Sequence, residues 1–332
     1  MQRIEHKYTN VSKLFTHIEE TYFLTSEMNK DSIVPSVFEP LINMFRKYTY
    51  TTCRIGYSPC QYELNEPIVE SNEDIIVVCT SGGKDSVATA KYYKNMGFEV
   101  ILYHMHGINK AYNDEYTSIP KIAEYLGCKY HIEDIKLVGS HRYVEHPMKN
   151  MLIANGAIHY CIENKLPVNI AFGNYQTSHI YDMEFEICGG DSVEMWKVYE
   201  NIIRTIIPRF KIYTPLVDVS DTYDILDDDL YIIENCISCM SPFRFREHWK
   251  HRTEDKYAVT LMEHRCGCCA KCCLEYMVLV DNGTLEYNKE YYQHCFDILT
   301  KTAQKETGRL NLTANEIWSR YFWYDIIESH LY

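Results

Sequence analysis

The hydrophobic pattern along the chain predicts alternating strands and helices. From Asp74, the apolar run from Ile75 to Cys79 has the β-branched content of a buried strand, and a glycine turn follows at once. Further predicted strands cover 99–104, 129–132 and 167–172, and predicted helices cover 87–96, 118–126 and 148–164. Alternation of this kind is typical of an open parallel sheet with helices on both faces.

Both ends of the chain lack this alternation of strands and helices. Residues 1–71 have helical apolar spacing and are predicted to form a mainly helical N-terminal extension. Residues 72–235 hold the alternating pattern and are predicted to form an α/β domain. Residues 236–332 contain a cysteine-dense segment and more helical spacing, so we predict a metal-binding, helical C-terminal region.

Composition and charge limit the function classes. The chain has 332 residues, of which 46% are hydrophobic and 24% are charged, so a disordered or low-complexity protein is excluded. A net charge of −13 argues against a broad nucleic-acid surface and favours a small-molecule substrate. No apolar run approaches the roughly 18 residues of a membrane span, and the N-terminus lacks an apolar signal segment. We therefore expect a cytoplasmic protein without a membrane partner.

The strongest chemical signal lies where the first predicted strand passes into its helix. The segment there is Ser81, Gly82, Gly83, Lys84, Asp85 and Ser86. The two glycines allow a tight turn close to an anion, and the amides and positive dipole end of the helix favour phosphate. The two serines add hydroxyl donors and Lys84 adds a cation. Because Asp85 would repel phosphate unless Mg²⁺ stood between them, the pair predicts a magnesium-bound nucleotide. The alternative is a serine-capped turn in an ordinary α/β protein.

The segment resembles the Ser-Gly-Gly-x-Asp-Ser loop of the ATP pyrophosphatase (PP-loop) family, and the resemblance covers about residues 72–235. It implies an adenine nucleotide alpha-hydrolase-like fold in which residues 81–86 bind ATP and Lys84 and Asp85 are catalytic. In that family a substrate oxygen attacks the α-phosphorus and pyrophosphate leaves into the loop. Nitrogen or sulfur then attacks the adenylated carbon. His104 ends the next strand, which in the family contacts adenine.

Fourteen cysteines without a secretory signal are not a disulfide framework. Cys266, Cys269 and Cys272 have the spacing of three thiolates that converge on one ion. A structural Zn²⁺ site needs a fourth ligand, for which Cys239 is preferred and Cys236 is held in reserve. A redox or iron–sulfur site and simple burial of free cysteines are the alternatives.

The order of these features resembles 7-cyano-7-deazaguanine synthase, a branch of the same family. The loop is followed by Thr214-Pro215-Leu216, an isolated cysteine and Cys-Gly-x-Cys-x-x-Cys, although Lys84 stands where that branch commonly has Gln. The resemblance implies an ATP-dependent carbon–nitrogen ligase of queuosine and deazapurine biosynthesis. Such an enzyme converts the carboxylate of 7-carboxy-7-deazaguanine to an amide and a nitrile with ATP and ammonia, and releases AMP.

Three other residues complete the candidate site. Gly173 and Asn174 end a later strand at the expected ligand edge and are predicted to line the substrate pocket. His104 is either a general base or a structural histidine. Two alternative functions stay open, a tRNA-thiolating PP-loop enzyme with an iron–sulfur or zinc site and a non-catalytic nucleotide-binding regulator. The expected partners are a deazapurine carboxylate and ammonia, and a homodimer is left open.

Overall fold

Strands and helices alternate through most of the chain that the structure, a computed structural model, describes. It describes residues 3–5, 12–26, 32–48, 55–64, 67–69, 74–107, 115–138, 149–174, 193–219, 222–226, 229–237 and 270–304. The strands are β1 (Arg3–Glu5), β2 (Ser32–Pro35), β3 (Ile55–Ser58), β4 (Ile75–Cys79), β5 (Glu99–His106), β6 (Lys129–Asp134), β7 (Lys136–Val138), β8 (Ile170–Ala171) and β9 (Ile212–Tyr213). The helices are α1 (Lys13–Ser26), α2 (Glu39–Tyr48), α3 (Lys84–Asn95), α4 (Ile119–Leu126), α5 (Lys149–Glu163), α6 (Val193–Ile203), α7 (Tyr223–Leu226), α8 (Leu230–Asn235), α9 (Ala270–Asp281) and α10 (Lys289–Gln304).

The central sheet has five parallel strands in the order β6-β5-β4-β8-β9. Val77 of β4 is paired with Ile101 of β5 on one side and with Ile170 of β8 on the other. Strands β5 and β6 therefore lie on one side of β4, and the later strands β8 and β9 lie on the other. The strand order reverses between β4 and β8. Open α/β sheets bind ligands in the crevice at such a reversal, beyond the carboxyl ends of the strands. The predicted parallel sheet is confirmed.

Helices cover both faces of this sheet, as predicted. Val77 and Cys79 of β4 lie in one buried apolar cluster with side chains of α1, α2, α5 and α6. Ile76 and Val78 lie in a second cluster with side chains of α3, α4, α7 and α8. Because both faces of β4 are buried, its sequence is continuously apolar instead of alternating.

The N-terminal helices share the core of the first face. Leu14, Phe15 and Ile18 of α1 are fully buried in that cluster. The Phe15 ring contacts the His159 ring of α5 edge-on, with centroids 4.4 Å apart. This region also contains strands that its helical spacing did not predict, since β2 and β3 have four residues each and pair with one another in parallel.

A helix pair, α9 and α10, forms the described part of the C-terminal region. Leu279 of α9 is buried in the second cluster, so α9 packs against the same face as α3. A smaller cluster lies between α9 and α10 and includes Cys273, Tyr276 and Tyr291. Within the ranges given above, no helix is both long enough and apolar enough to cross a membrane.

Candidate functional site

The predicted phosphate loop joins β4 to α3 at the point where the strand order reverses. Gly82 has a φ of +78°, a conformation that side chains with a Cβ rarely adopt, so glycine is required there. Gly83 is the N-cap of α3, and as a glycine it has no side chain to cap the helix. The first amides of a helix have no acceptor within it, and the helix dipole is positive at this end. The N-terminus of α3 is therefore chemically suited to an anion.

A chain of hydrogen bonds within the loop fixes its shape. The Gly82 N–H donates to Thr80 Oγ1 at 2.9 Å, Thr80 Oγ1 and Ser86 Oγ are 2.7 Å apart, and Ser86 Oγ donates to the Gly83 carbonyl at 2.9 Å. Because each hydroxyl has one proton, Thr80 donates to Ser86 and Ser86 donates to Gly83. The Ser86 proton is thus used to hold the loop. Sequence reasoning missed Thr80, whose only signal is a hydroxyl between the strand and the glycines.

The two charged loop residues form a mostly buried cluster with a distant threonine. Lys84 Nζ donates to Asp85 Oδ1 at 2.7 Å and to Thr222 Oγ1, and Thr222 Oγ1 donates to Asp85 Oδ1 at 2.9 Å. The Lys84 side chain is 10% exposed and that of Asp85 is 26% exposed, while Thr222 is fully buried. The ammonium and carboxylate neutralise each other at the start of α3. Thr222 is the second functional candidate that sequence reasoning missed.

The end of β8 packs directly against the loop helix. An ideal Cβ on Gly173 would lie 2.6 Å from the Asp85 carbonyl carbon and 2.7 Å from the Ser86 nitrogen, which are backbone atoms that cannot rotate away. Asn174 follows and is buried. The structure therefore brings Gly173, predicted for the substrate pocket, to the first turn of α3, and a glycine is needed for this close approach.

His104 of β5 is hydrogen-bonded to Thr80, the residue between β4 and the loop. Its Nδ1 lies 2.8 Å from the Thr80 carbonyl oxygen, and because a carbonyl only accepts, Nδ1 has the proton. Burial lowers the pKa of His104, and the hydrogen bond to Thr80 offsets part of that effect. The buried imidazole is therefore neutral, and its hydrogen bond to Thr80 positions the end of the loop next to β4.

We expect the free energy of unfolding to decrease as the pH falls, because His104 resists protonation in the folded protein. Since its pKa is lowered on folding, the unfolded chain binds more protons below its ordinary pKa of about 6.5, and stability decreases as pH falls through that value. Urea unfolding at pH 7.5 and 5.5 should show that His104→Asn loses less of its free energy of unfolding on acidification than the wild type does. An identical loss in the two proteins would contradict this assignment.

A backbone contact connects the loop to the chain that follows α8. The Ile237 N–H donates to the Gly82 carbonyl at 2.8 Å, and an ideal Cβ on Gly83 would lie 3.5 Å from the Ile237 carbonyl oxygen. Cys236, the residue before it, is fully buried in the second apolar cluster. The segment that leads toward the predicted cysteine site therefore runs along the loop.

The predicted zinc ligands lie mostly beyond the described residues. Cys239, Cys266 and Cys269 are outside them, whereas Cys272 lies on α9 and is buried. Within the described ranges, no three histidine, cysteine or acidic side chains converge as metal ligands. The zinc site with Cys239, Cys266, Cys269 and Cys272 stays a prediction.

Comparison with known proteins matches part of this chain to two kinds of enzyme. A tRNA-specific 2-thiouridylase MnmA of Campylobacter lari is 40% identical over 63 residues, which are 18% of this chain and 19% of that protein. A 7-cyano-7-deazaguanine synthase of Sulfolobus acidocaldarius is 39% identical over 61 residues, 18% of this chain and 13% of that protein. The chain is distantly and partially similar to PP-loop ATP pyrophosphatases. It spans less than a fifth of the length of either relative, and no protein-family model matches it.

Proposed function

We propose that the protein is an ATP-dependent enzyme that binds the pyrophosphate part of ATP at residues 81–86 and transfers AMP to an acceptor. The observation that carries this proposal is the loop itself. A helix N-terminus with glycine at its N-cap, a glycine turn fixed by a hydroxyl chain and a buried lysine lie together at the strand-order reversal. These are donors fixed in place before any ligand binds, which is what stabilisation of a departing anion requires.

The chemistry assigns a separate task to each group. When an acceptor oxygen attacks the α-phosphorus, the bond to the β-phosphate breaks and negative charge develops on the pyrophosphate. The amides at the start of α3 and the Lys84 ammonium act on that charge. Asp85 supplies an oxygen ligand of the kind that Mg²⁺ prefers, and Mg²⁺ neutralises phosphate charge when bound. His104 and Thr80 keep the loop in shape through their backbone and hydroxyl contacts.

For the acceptor we propose a carboxylate, 7-carboxy-7-deazaguanine or a related deazapurine, which is adenylated and then attacked by ammonia. The order of loop, Thr-Pro-Leu segment and cysteines supports this choice, as does the partial match to a 7-cyano-7-deazaguanine synthase. The net charge of −13 also favours a small acceptor over RNA. In this proposal Gly173 and Asn174 border the acceptor beside the loop, and Zn²⁺ at the four cysteines is structural.

The second candidate function is thiolation of tRNA. The partial match to tRNA-specific 2-thiouridylases favours it, and their share of this chain equals that of the synthase match. Lys84, in place of the glutamine common in the synthase branch, also favours it.

Product analysis separates the two candidates. The protein is incubated with MgATP, ammonia and 7-carboxy-7-deazaguanine, and in parallel with MgATP, a sulfide donor and tRNA that lacks thiolation. We expect AMP and pyrophosphate in the first reaction, with loss of the acid in the mass spectrum. If AMP forms in the second reaction and not in the first, thiolation replaces the amidation proposal. ADP and phosphate as products in either reaction would contradict cleavage between the α- and β-phosphates.

A further inference from the structure

We propose that Thr222 is a positioning residue that holds the Lys84–Asp85 pair in the geometry needed to bind the polyphosphate of ATP. This inference rests on the proposed function of the loop. It adds a residue 138 positions beyond Lys84, in a segment that neither the loop motif nor the cysteine motif includes.

Proton counting determines how Thr222 connects the pair. The Asp85 carboxylate only accepts, so the single hydroxyl proton of Thr222 goes to Asp85 Oδ1, 2.9 Å away. The Thr222 oxygen then has only lone pairs to offer to Lys84, so Lys84 Nζ donates to it. Lys84 Nζ also donates to Asp85 Oδ1 at 2.7 Å. The three groups therefore form a closed triangle in which each group contacts the other two.

The triangle fixes the direction of the lysine charge. An ammonium has three N–H donors in tetrahedral arrangement, and two of those of Lys84 are directed to Asp85 and to Thr222. Without the hydroxyl, the end of a flexible four-carbon side chain would lose one of these two contacts, and the ammonium would be held less firmly in place. Because electrostatic stabilisation depends on charges that are in place beforehand, the second contact matters for anion binding.

The rest of the fold determines where Thr222 stands. It is the residue before α7, and its carbonyl accepts a hydrogen bond from the Leu226 N–H at 3.2 Å. At the other end of α7, Lys91 Nζ of α3 donates to the Leu226 carbonyl at 2.6 Å. Hydrogen bonds thus join α3 to both ends of α7, and they hold the Thr222 hydroxyl in place beside the loop.

The test compares two threonines that both bond to Asp85. Thr222→Val removes the hydroxyl that donates to the Asp85 side chain, whereas Thr89→Val removes an equally buried hydroxyl that donates 2.9 Å to the Asp85 main-chain carbonyl. Titration calorimetry measures binding of MgATP, magnesium pyrophosphate and AMP. We expect Thr222→Val to bind MgATP and pyrophosphate about tenfold more weakly, with AMP binding within about twofold. Thr89→Val and the hydroxyl-retaining Thr222→Ser should stay within about twofold for all three ligands.

The outcomes separate this inference from the proposed function. If the wild type binds MgATP and pyrophosphate but Thr222→Val binds them as tightly as Thr89→Val does, Thr222 has no positioning role and the proposed function stands. Equal weakening toward AMP and pyrophosphate would also overturn the inference, because it indicates a general structural change. A wild type that binds neither MgATP nor pyrophosphate overturns both. If Thr222→Val does not fold, Thr222→Ala removes the same hydroxyl, and the same outcomes apply.

Discussion

Replacing Gly173 with alanine is expected to reduce AMP formation about a hundredfold, because a misplacement of about 1 Å at a reacting site has effects of that size. The new methyl group would lie 2.6 Å from the Asp85 carbonyl carbon and 2.7 Å from the Ser86 nitrogen. Atoms of the main chain must move, and they belong to the turn that is proposed to bind pyrophosphate. The free energy of unfolding should also fall by about 1–3 kcal/mol, as it does on overpacking.

Gly83→Ala is the matched control for the effect on stability. At Gly83 an added Cβ would meet its nearest neighbours, Ser81 Oγ and Ile237 O, at 3.5 Å, which is ordinary van der Waals contact. Its φ of −80° is accessible to alanine. Urea denaturation should therefore show a change within about 0.5 kcal/mol for Gly83→Ala and a clear loss for Gly173→Ala. Equal stability of the two variants, with full AMP formation by Gly173→Ala, would contradict the close approach of β8 to the loop.

The Lys84→Met variant is expected to lose AMP formation by a factor of about 10²–10³, because it removes a positioned cation from the leaving pyrophosphate. Methionine retains much of the length and apolar character of the lysine stem, so the packing at the start of α3 is largely preserved. Asp85 then keeps the Thr222 hydrogen bond but loses the ion pair with residue 84. The remaining carboxylate further opposes phosphate binding, so MgATP affinity should fall together with the rate.

Lys94→Met is the control on the same helix. The Lys94 ammonium donates to the Gly127 carbonyl at 3.0 Å on the exposed surface and lies near the other end of α3. Rates of AMP formation under identical conditions should stay within about twofold of the wild type, as for most surface substitutions. If Lys84→Met retained the wild-type rate, the ammonium would have no part in the chemistry. If both variants lost activity equally, the loss would reflect total charge instead of the loop.

The local features of the site could be predicted from the sequence because they depend on neighbouring residues. An apolar run followed by two glycines specifies a strand, a turn and a helix start within a dozen positions, and the structure has β4, the loop and α3 there. The positions of Gly173 and His104 followed from a general property, that the carboxyl ends of parallel strands share one edge of the sheet.

The remaining features depend on contacts between distant parts of the chain. Thr222 bonds to Asp85 across 137 positions, and the Ile237 amide bonds to Gly82. A hydroxyl in an ordinary polar segment and a backbone N–H leave no pattern in the sequence. Strand β8 falls within the predicted strand over 167–172, whereas β9 has only two residues, too short for a periodicity to be recognised, so that edge of the sheet was not predicted.

Amide hydrogen exchange with and without an ATP analogue tests the central claim, that the turn between β4 and α3 binds the polyphosphate. The analogue has a methylene bridge between the α- and β-phosphates, so it binds without being cleaved and no acceptor is needed. The account predicts that magnesium and the analogue slow exchange at the amides of residues 81–86, while the amides of α10 keep their rates. Unchanged exchange at residues 81–86, with protection elsewhere or nowhere, would contradict it.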